Sequence, residues 1–166
     1  MGSSVEPWFV LRTRCHHENA VQNELERKQI VSFLPMRTIV RRRSERRSLL
    51  RVPLFPGYVF VQPRADEFHE IRCIRGSCGF VLAGARPAPM SEQELEAVRI
   101  IVGSGAALVV NPQLIPGQRV AVVAGPFMGV QGVLTRVKCQ QRLVINAHLL
   151  NTSVSVEVDV DKIIVL

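Results

Sequence analysis

The C-terminal fifty residues carry the pattern that most constrains the fold of this chain. Val154, Val156, Val158 and Val160 alternate with polar residues, which is the period of a strand with one solvent-exposed face. Several short β-branched runs in so few residues are typical of a small barrel, because closure removes unpaired strand edges. The predicted strands are 120–123, 133–137, 143–145, 154–160 and 163–165. We therefore predict an all-β C-terminal domain.

The N-terminal hundred residues show a different pattern, in which strands and helices mix irregularly. Such a mixture predicts an α+β domain with a mostly antiparallel sheet flanked by helices. The helix over 18–29 is expected to turn Ala20 inward and to pair Glu24 with Lys28. The other predicted elements are strand 8–11, hairpin 37–51, strand 58–61, helix 66–74, strand 79–84 and a helix that begins after Ser91.

The boundary between the two domains is predicted from local sequence patterns. Ser91, followed by Glu94 three residues later, forms a capping-box pattern that opens the last helix of the first domain. The stretch 104–114 is weakly periodic, which indicates a linker. We therefore predict an N-terminal domain over 6–103 and a C-terminal barrel over 115–166.

The positive charge is concentrated in the N-terminal third. Of a net charge of +7, residues 1–64 carry 12 basic against 5 acidic residues, whereas 115–166 carry 5 against 3. Seven arginines lie between Arg37 and Arg51 against the single acid Glu45, more than solubility requires. The forked guanidinium group of arginine matches the geometry of a phosphate. We therefore predict DNA contacts that position the protein on DNA rather than specify a base sequence. The residues assigned to this contact are Arg41, Arg42, Arg43, Arg46 and Arg47.

Several function classes are disfavoured by the sequence. The chain shows no secretory h-region and no apolar run of membrane-spanning length, which predicts a cytoplasmic protein without membrane contact. The four scattered cysteines form no CxxC pair and are expected to be reduced thiols. Neither catalytic residues nor a phosphate-binding glycine loop can be assigned, so we predict no enzyme activity and no cofactor. The set Cys15, His16, His17 and His69 lacks zinc-site spacing, and we predict no metal.

The turn Gly125–Gly129, with Gly132 close behind, lies between two predicted strands. Its glycines supply backbone conformations with positive φ, and an ordinary β-turn would need no more than that. With the flanking valine-rich strands, however, it matches the KOW motif. The chain resembles NusG-type transcription elongation factors over about 7–166, through four segments in the expected order. These segments are 8–11, 55–61, 86–91 and 125–132.

The resemblance implies a NusG N-terminal domain followed by a KOW (SH3-like) barrel. The segments 34–36 and 53–56 are more similar to specialised RfaH-type paralogues than to the housekeeping factor. In this family, an apolar patch docks on the clamp helices of RNA polymerase. About half of the matching strand residues are expected to be buried instead, because alternate side chains point inward. The positions matching the patch are Phe55, Pro56, Tyr58 and Phe60.

A second nucleic-acid set is implied by the same resemblance. Arg14 and His17 stand where RfaH-like proteins carry polar residues that read the exposed non-template DNA strand near the transcription bubble, and Arg75 completes the set. Cys15 and Ala20 depart from the family pattern at neighbouring sites. The sequence therefore predicts contact with DNA here without identifying a recruitment sequence.

The barrel is expected to recruit a second partner, the ribosomal protein NusE, the termination factor Rho, or both. Phe127, Met128 and Ile145 are the predicted contact residues. Some RfaH-type relatives hold the KOW region as a helical hairpin against the N-terminal domain. Here 154–160 favours strand, and Val52 stands where an acidic residue would stabilise that closed state. We therefore expect an open monomer with a permanent barrel. The implied function is to suppress pausing or termination during transcription. The alternative is a KOW-containing RNA-binding or ribosome-associated protein.

Overall fold

The computed structural model describes residues 5–166 and divides after Met90 into two compact units. In the first unit, four antiparallel strands form a sheet in the order β2-β5-β1-β6, while β3 and β4 form a separate hairpin. The α+β character predicted for this region is confirmed. Its elements are β1 (Phe9–Thr13), α1 (Glu18–Arg27), β2 (Val31–Phe33), β3 (Met36–Arg43), β4 (Arg46–Pro53), β5 (Tyr58–Gln62), α2 (Phe68–Arg72), β6 (Ser77–Phe80), β7 (Leu82–Ala83) and β8 (Arg86–Pro87).

The main core of the first unit joins one face of this sheet to the two helices. Alternate residues of β5, Val59 and Val61, are fully buried together with Leu25 of α1 and Ile71 of α2. Aromatic rings close one end of this core, where Phe9, Phe68 and Phe80 meet at centroid distances of 5.2 to 6.2 Å. The period of two in β5 thus divides its side chains between this core and the opposite face of the sheet.

Helix α1 differs from its prediction in one buried position. Val21 and Leu25 are fully buried, as expected, but Ala20 is exposed. Positions 21 and 25 are one helical turn apart and define the inward face, which turns the neighbouring position 20 toward solvent. The prediction that Ala20 faces inward is therefore wrong.

The predicted Glu24–Lys28 ion pair is also wrong. Glu24 instead accepts hydrogen bonds from Arg27, and these bonds lower the pKa of the Glu24 carboxyl. Lys28 donates to Glu70, the two atoms lying 2.8 Å apart. A residue from helix α2 therefore competes successfully with the local i, i+4 partner, and this contact ties the two helices together.

Two other elements of the first unit are shorter than predicted. The helix expected over 66–74 spans only α2. The strand expected over 79–84 is broken at Val81, whose N–H donates to Val10 O at 2.8 Å. After this bond the chain leaves the sheet, and β7 pairs with β8 instead.

The second unit contains a helix and a six-stranded antiparallel sheet with the strand order β14-β10-β11-β12-β13-β9. The all-β character predicted for the C-terminal region is confirmed. Strand β9 lies within the predicted linker 104–114 and pairs with β13. The domain boundaries deduced from the sequence stay predictions. The elements are α3 (Glu92–Gly103), β9 (Val109–Asn111), β10 (Gln118–Val122), β11 (Gln131–Val137), β12 (Gln140–Ala147), β13 (Thr152–Glu157) and β14 (Ile163–Val165).

The alternating valine segment forms β13, but it ends earlier than predicted. Val154 and Val156 are buried, whereas Val160 lies in a 3₁₀ turn and is exposed. The prediction that the polar face of this strand is exposed to solvent is also partly wrong, since Ser155 is buried. The guanidinium of Arg142 covers it, donating to Ser155 Oγ at 3.0 Å and to Ser155 O at 3.1 Å.

Helix α3 begins with half of the predicted capping box. The N–H of Glu94 donates to Ser91 Oγ at 3.4 Å, as expected for an N-cap serine. The Glu94 carboxylate contacts His148 Nδ1 instead of returning to the Ser91 amide. The helix buries Leu95 and Ile101.

Glycine is required at position 132 because there is no space for a side chain, and not because the backbone has a positive φ. A Cβ at this position would lie 2.9 Å from Ile145 Cδ1 and closer still to Val144 O. Because such overlap forces the backbone to shift, Gly132→Ala should destabilise the second unit by about 1–3 kcal/mol. Chemical unfolding of the full chain followed by far-UV circular dichroism measures this loss.

Gly103 provides the matched control, because it ends helix α3 and a Cβ at its position would meet nothing within 4 Å. Gly103→Ala should leave stability unchanged or raise it by about 0.4–1 kcal/mol. The fluorescence of Trp8, which belongs to the first unit, should report the same unfolding midpoint as the parent for both variants. Equal stability of the two variants would show that the packing around Gly132 can relax.

Candidate functional site

The turn before β5 is held by hydrogen bonds from two other elements. Gly57, with φ +85°, donates its N–H to Glu18 Oε1 at 2.8 Å, and its carbonyl accepts from Thr13 N at 2.8 Å. Glu18 is only 5 % exposed, so its carboxylate is a buried acceptor. No sequence pattern signals this anchor, because Glu18 resembles an ordinary first-turn acid. Together these bonds fix the position of Tyr58.

Phe55 and Phe60 are buried and are therefore not contact residues, which agrees with the expectation that about half of the four matching residues are buried. Phe60 is 0 % exposed and packs edge-on against Phe55, with ring centroids 5.8 Å apart. Phe33 of β2 stacks on Phe60 at 6.2 Å. Side chains with so little accessible surface cannot touch a partner, so Phe55 and Phe60 support the turn from beneath, whereas Phe33 is only half-buried.

The remaining two predicted contact residues reach the surface. Pro56 is exposed and Tyr58 is half-buried. Cross-strand register places Arg12 opposite Tyr58 and Phe33 opposite Phe60, so their side chains share one face of the sheet. Val31, one of the exposed apolar residues, belongs to the same face. We call Arg12, Val31, Phe33 and Tyr58 the Tyr58 face.

The predicted hairpin is present as the ribbon β3–β4, which we call the arginine hairpin. All side chains from 40 to 51 are exposed. Arg42 lies opposite Arg47 and Arg43 lies opposite Arg46, with Ser44 at φ +59° in the connecting turn. Across residues 5–166, no ion pair engages these guanidinium groups. The hairpin therefore presents a large excess of positive charge, with Glu45 as the single acid against its arginines.

The second predicted nucleic-acid set converges at one end of helix α1. His17 and Arg75 line the same cleft of about 560 Å³ between α1 and α2. The N–H of Arg14 donates to Gly76 O at 2.8 Å, which places Arg14 beside that cleft. Acidic residues also line it, namely Glu24 and Glu70. The cleft is thus of mixed charge, unlike the arginine hairpin.

Two of the three residues predicted to contact a partner of the second unit, in and near the KOW-type turn, are buried. Phe127 tucks beneath the turn, and Ile145 is 2 % exposed in the sheet. Both assignments are corrected, because these residues form the core on which the turn rests. Met128 is 63 % exposed, and Val123 is exposed at the start of the same turn. The glycines predicted to need positive φ are confirmed at Gly125 and Gly129.

Residues 5–166 offer neither a metal-binding cluster nor a membrane-spanning helix. Within them, no three His, Cys, Asp or Glu side chains are grouped so as to hold a metal ion. None of the helices described is long and apolar enough to cross a bilayer. Cys15, Cys73, Cys78 and Cys139 are free thiols.

Known proteins resemble this chain over most of its length. A family model described as transcription termination factor NusG matches residues 6–99. The transcription termination/antitermination protein NusG of Thermus thermophilus is 26 % identical, with 95 % of this chain and 97 % of that protein covered. The protein of the same name from Lactococcus lactis is 28 % identical, with 94 % and 91 % covered.

One solved structure supports the fold over nearly all of the chain. It is a structure of Thermotoga maritima NusG, described as showing domain interaction, and it superimposes with a TM-score of 0.56. The alignment covers 98 % of both chains at 19 % sequence identity. At this identity the match supports the architecture alone.

Proposed function

Because this chain belongs to the NusG family of transcription factors, we propose that it binds the clamp helices of RNA polymerase through the Tyr58 face and Pro56. The observation that carries the proposal is the anchored turn at Gly57, which holds Tyr58 at the surface above a buried aromatic support. A tyrosine suits such a contact, since its ring packs while its hydroxyl stays hydrated. A rigid support lowers the entropy lost on binding.

Two charged surfaces of the first unit support a contact with DNA beside the polymerase. The arginine hairpin supplies guanidinium groups without ion-pair partners among the described residues, and such groups suit phosphates. The cleft at His17 and Arg75 supplies fewer charges and balances them with acids, so we propose a weaker contact there, with the exposed single strand that the family resemblance implies. Both contacts position the protein and carry little sequence information by themselves.

The second unit supports recruitment of another protein, for which we propose NusE or Rho. Met128 and Val123 form the exposed apolar part of its turn, and methionine adapts to varied partners. The protein acts in the cytoplasm as a bound regulator that shifts polymerase between conformations, without enzymatic chemistry of its own. Membership of the RfaH-like subgroup stays a prediction.

Transcription through a pause-containing template tests this function. Added to core RNA polymerase elongation complexes, the full chain should shorten pause lifetimes or raise read-through at a terminator. The chain with Tyr58→Ala serves as the comparison. If pausing and termination are unaltered while the protein binds ribosomes, the ribosome-associated alternative is favoured instead.

A further inference from the structure

The arginine hairpin is a two-stranded ribbon that forms a sheet of its own. Strands β3 and β4 pair along eight positions and share no ladder with the four-stranded sheet. An isolated two-stranded ribbon is marginally stable in water, so its persistence as an exposed arm needs a reason. The apolar side chain of Leu49, 76 % exposed, lies on the same arm.

The charges near the tip oppose ribbon formation in the free protein. Arg42 and Arg47 face each other across one side of the ribbon, and Arg43 and Arg46 across the other. Like charges directly opposite one another in an antiparallel pair are destabilising. Phosphates on both sides of the ribbon would relieve this repulsion. A ligand that brings anions to only one side would leave the other arginine pair uncompensated.

The composition of the hairpin argues against single-stranded nucleic acid as this ligand. Proteins that hold single strands stack the bases on aromatic side chains. Residues 36–53 contain no Phe, Tyr or Trp. The A-form RNA duplex is also a poor ligand, because its deep and narrow major groove does not admit side chains. B-form duplex DNA remains, with phosphates along both walls of an open groove.

We infer that the tip of the arginine hairpin inserts into the major groove of duplex DNA, with each arginine pair facing the phosphates of one wall. The groove is about 12 Å wide and about 8.5 Å deep, and a two-stranded ribbon fits it. At about 3.4 Å per strand residue, this depth admits two to three residues from the tip. Those positions are the ones occupied by Arg42, Arg43, Arg46 and Arg47. The inference rests on the proposed DNA contact and specifies its ligand as duplex rather than single-stranded.

Fluorescence anisotropy of the full chain tests this inference. The probes are a labelled DNA duplex of about 20 base pairs, the corresponding single strand and an RNA duplex of the same length. A duplex of this length is longer than the segment of groove that the tip would cover. The parent protein should bind the DNA duplex at least tenfold more tightly than either other probe. Each double variant, R42A/R47A or R43A/R46A, should weaken duplex binding about tenfold or more. Each should also reduce the slope of log K against log salt by about 1.8, because two phosphate contacts are lost.

The charge-matched control is R119A/R136A, which removes two exposed arginines from the second unit. It should leave duplex affinity within about twofold of the parent. Equal or tighter binding of the single strand, or equal losses for the hairpin and control variants, would overturn the inference. Binding to core RNA polymerase is measured for every variant, because it is expected to persist. Loss of duplex preference with polymerase binding intact refutes only this inference, whereas a parent protein that does not bind polymerase refutes the proposed function.

Discussion

Replacing Phe60 with alanine should lower the free energy of unfolding of the first unit by about 3–5 kcal/mol. Phe60 has no exposed surface and packs against Phe55 and Phe33, so truncation leaves a cavity between two rings. The single tryptophan, Trp8, is buried in the same unit and reports its unfolding in the full chain. Urea denaturation followed by Trp8 fluorescence measures the loss.

Two further variants keep this prediction informative if the alanine variant fails to fold. Phe60→Leu retains most of the volume and should cost less than about 1.5 kcal/mol. Leu49→Ala removes a comparable apolar side chain from an exposed site and should change stability by less than about 0.5 kcal/mol. If Phe60→Ala were as stable as Leu49→Ala, Phe60 would not be part of the core.

The second large effect is expected at Tyr58, and it concerns binding. Tyr58→Ala should weaken the affinity for core RNA polymerase about 30-fold, corresponding to the loss of about 2 kcal/mol at an interface hot spot. The physical reason is the removal of a ring that the Gly57 anchor holds at the surface. Biolayer interferometry with immobilised polymerase and the full chain measures the affinity.

Controls separate a lost contact from a lost fold. Tyr58→Phe keeps the ring and should retain most of the affinity, while Leu82→Ala removes an exposed side chain from β7 and should leave affinity unchanged. The Trp8 unfolding midpoint of Tyr58→Ala should stay close to that of the parent. Parent-like polymerase affinity in a folded Tyr58→Ala variant would exclude the Tyr58 face as the docking surface.

Local patterns in the sequence were sufficient for most elements of the fold. The period of two over 154–160 predicted β13, and a hairpin was predicted over 37–51, where the arginine hairpin lies. Both depend on neighbours in the chain and on the alternation of side chains in a strand. The glycine positions of the KOW-type turn were predictable for a similar reason, since positive φ restricts the residue type.

The parts that sequence reasoning missed depend on contacts between distant segments. Glu18 and Gly57 are 39 residues apart, and Lys28 and Glu70 are 42 apart, so no local pattern could pair them. Phe60 and Ile145 are buried rather than in contact with a partner, because a motif match gives position along the chain but does not say which of the matching residues point inward. Which alternate residues face solvent was decided by what packs on each side of the sheet.

The central claim is that this chain binds RNA polymerase through its first unit. Co-sedimentation of the full chain with core RNA polymerase, and in parallel with ribosomes, at physiological salt tests it most directly. We expect co-sedimentation with polymerase that is lost in Tyr58→Ala and retained in Tyr58→Phe. Absence of polymerase binding by the parent chain, with or without ribosome binding, would contradict the claim.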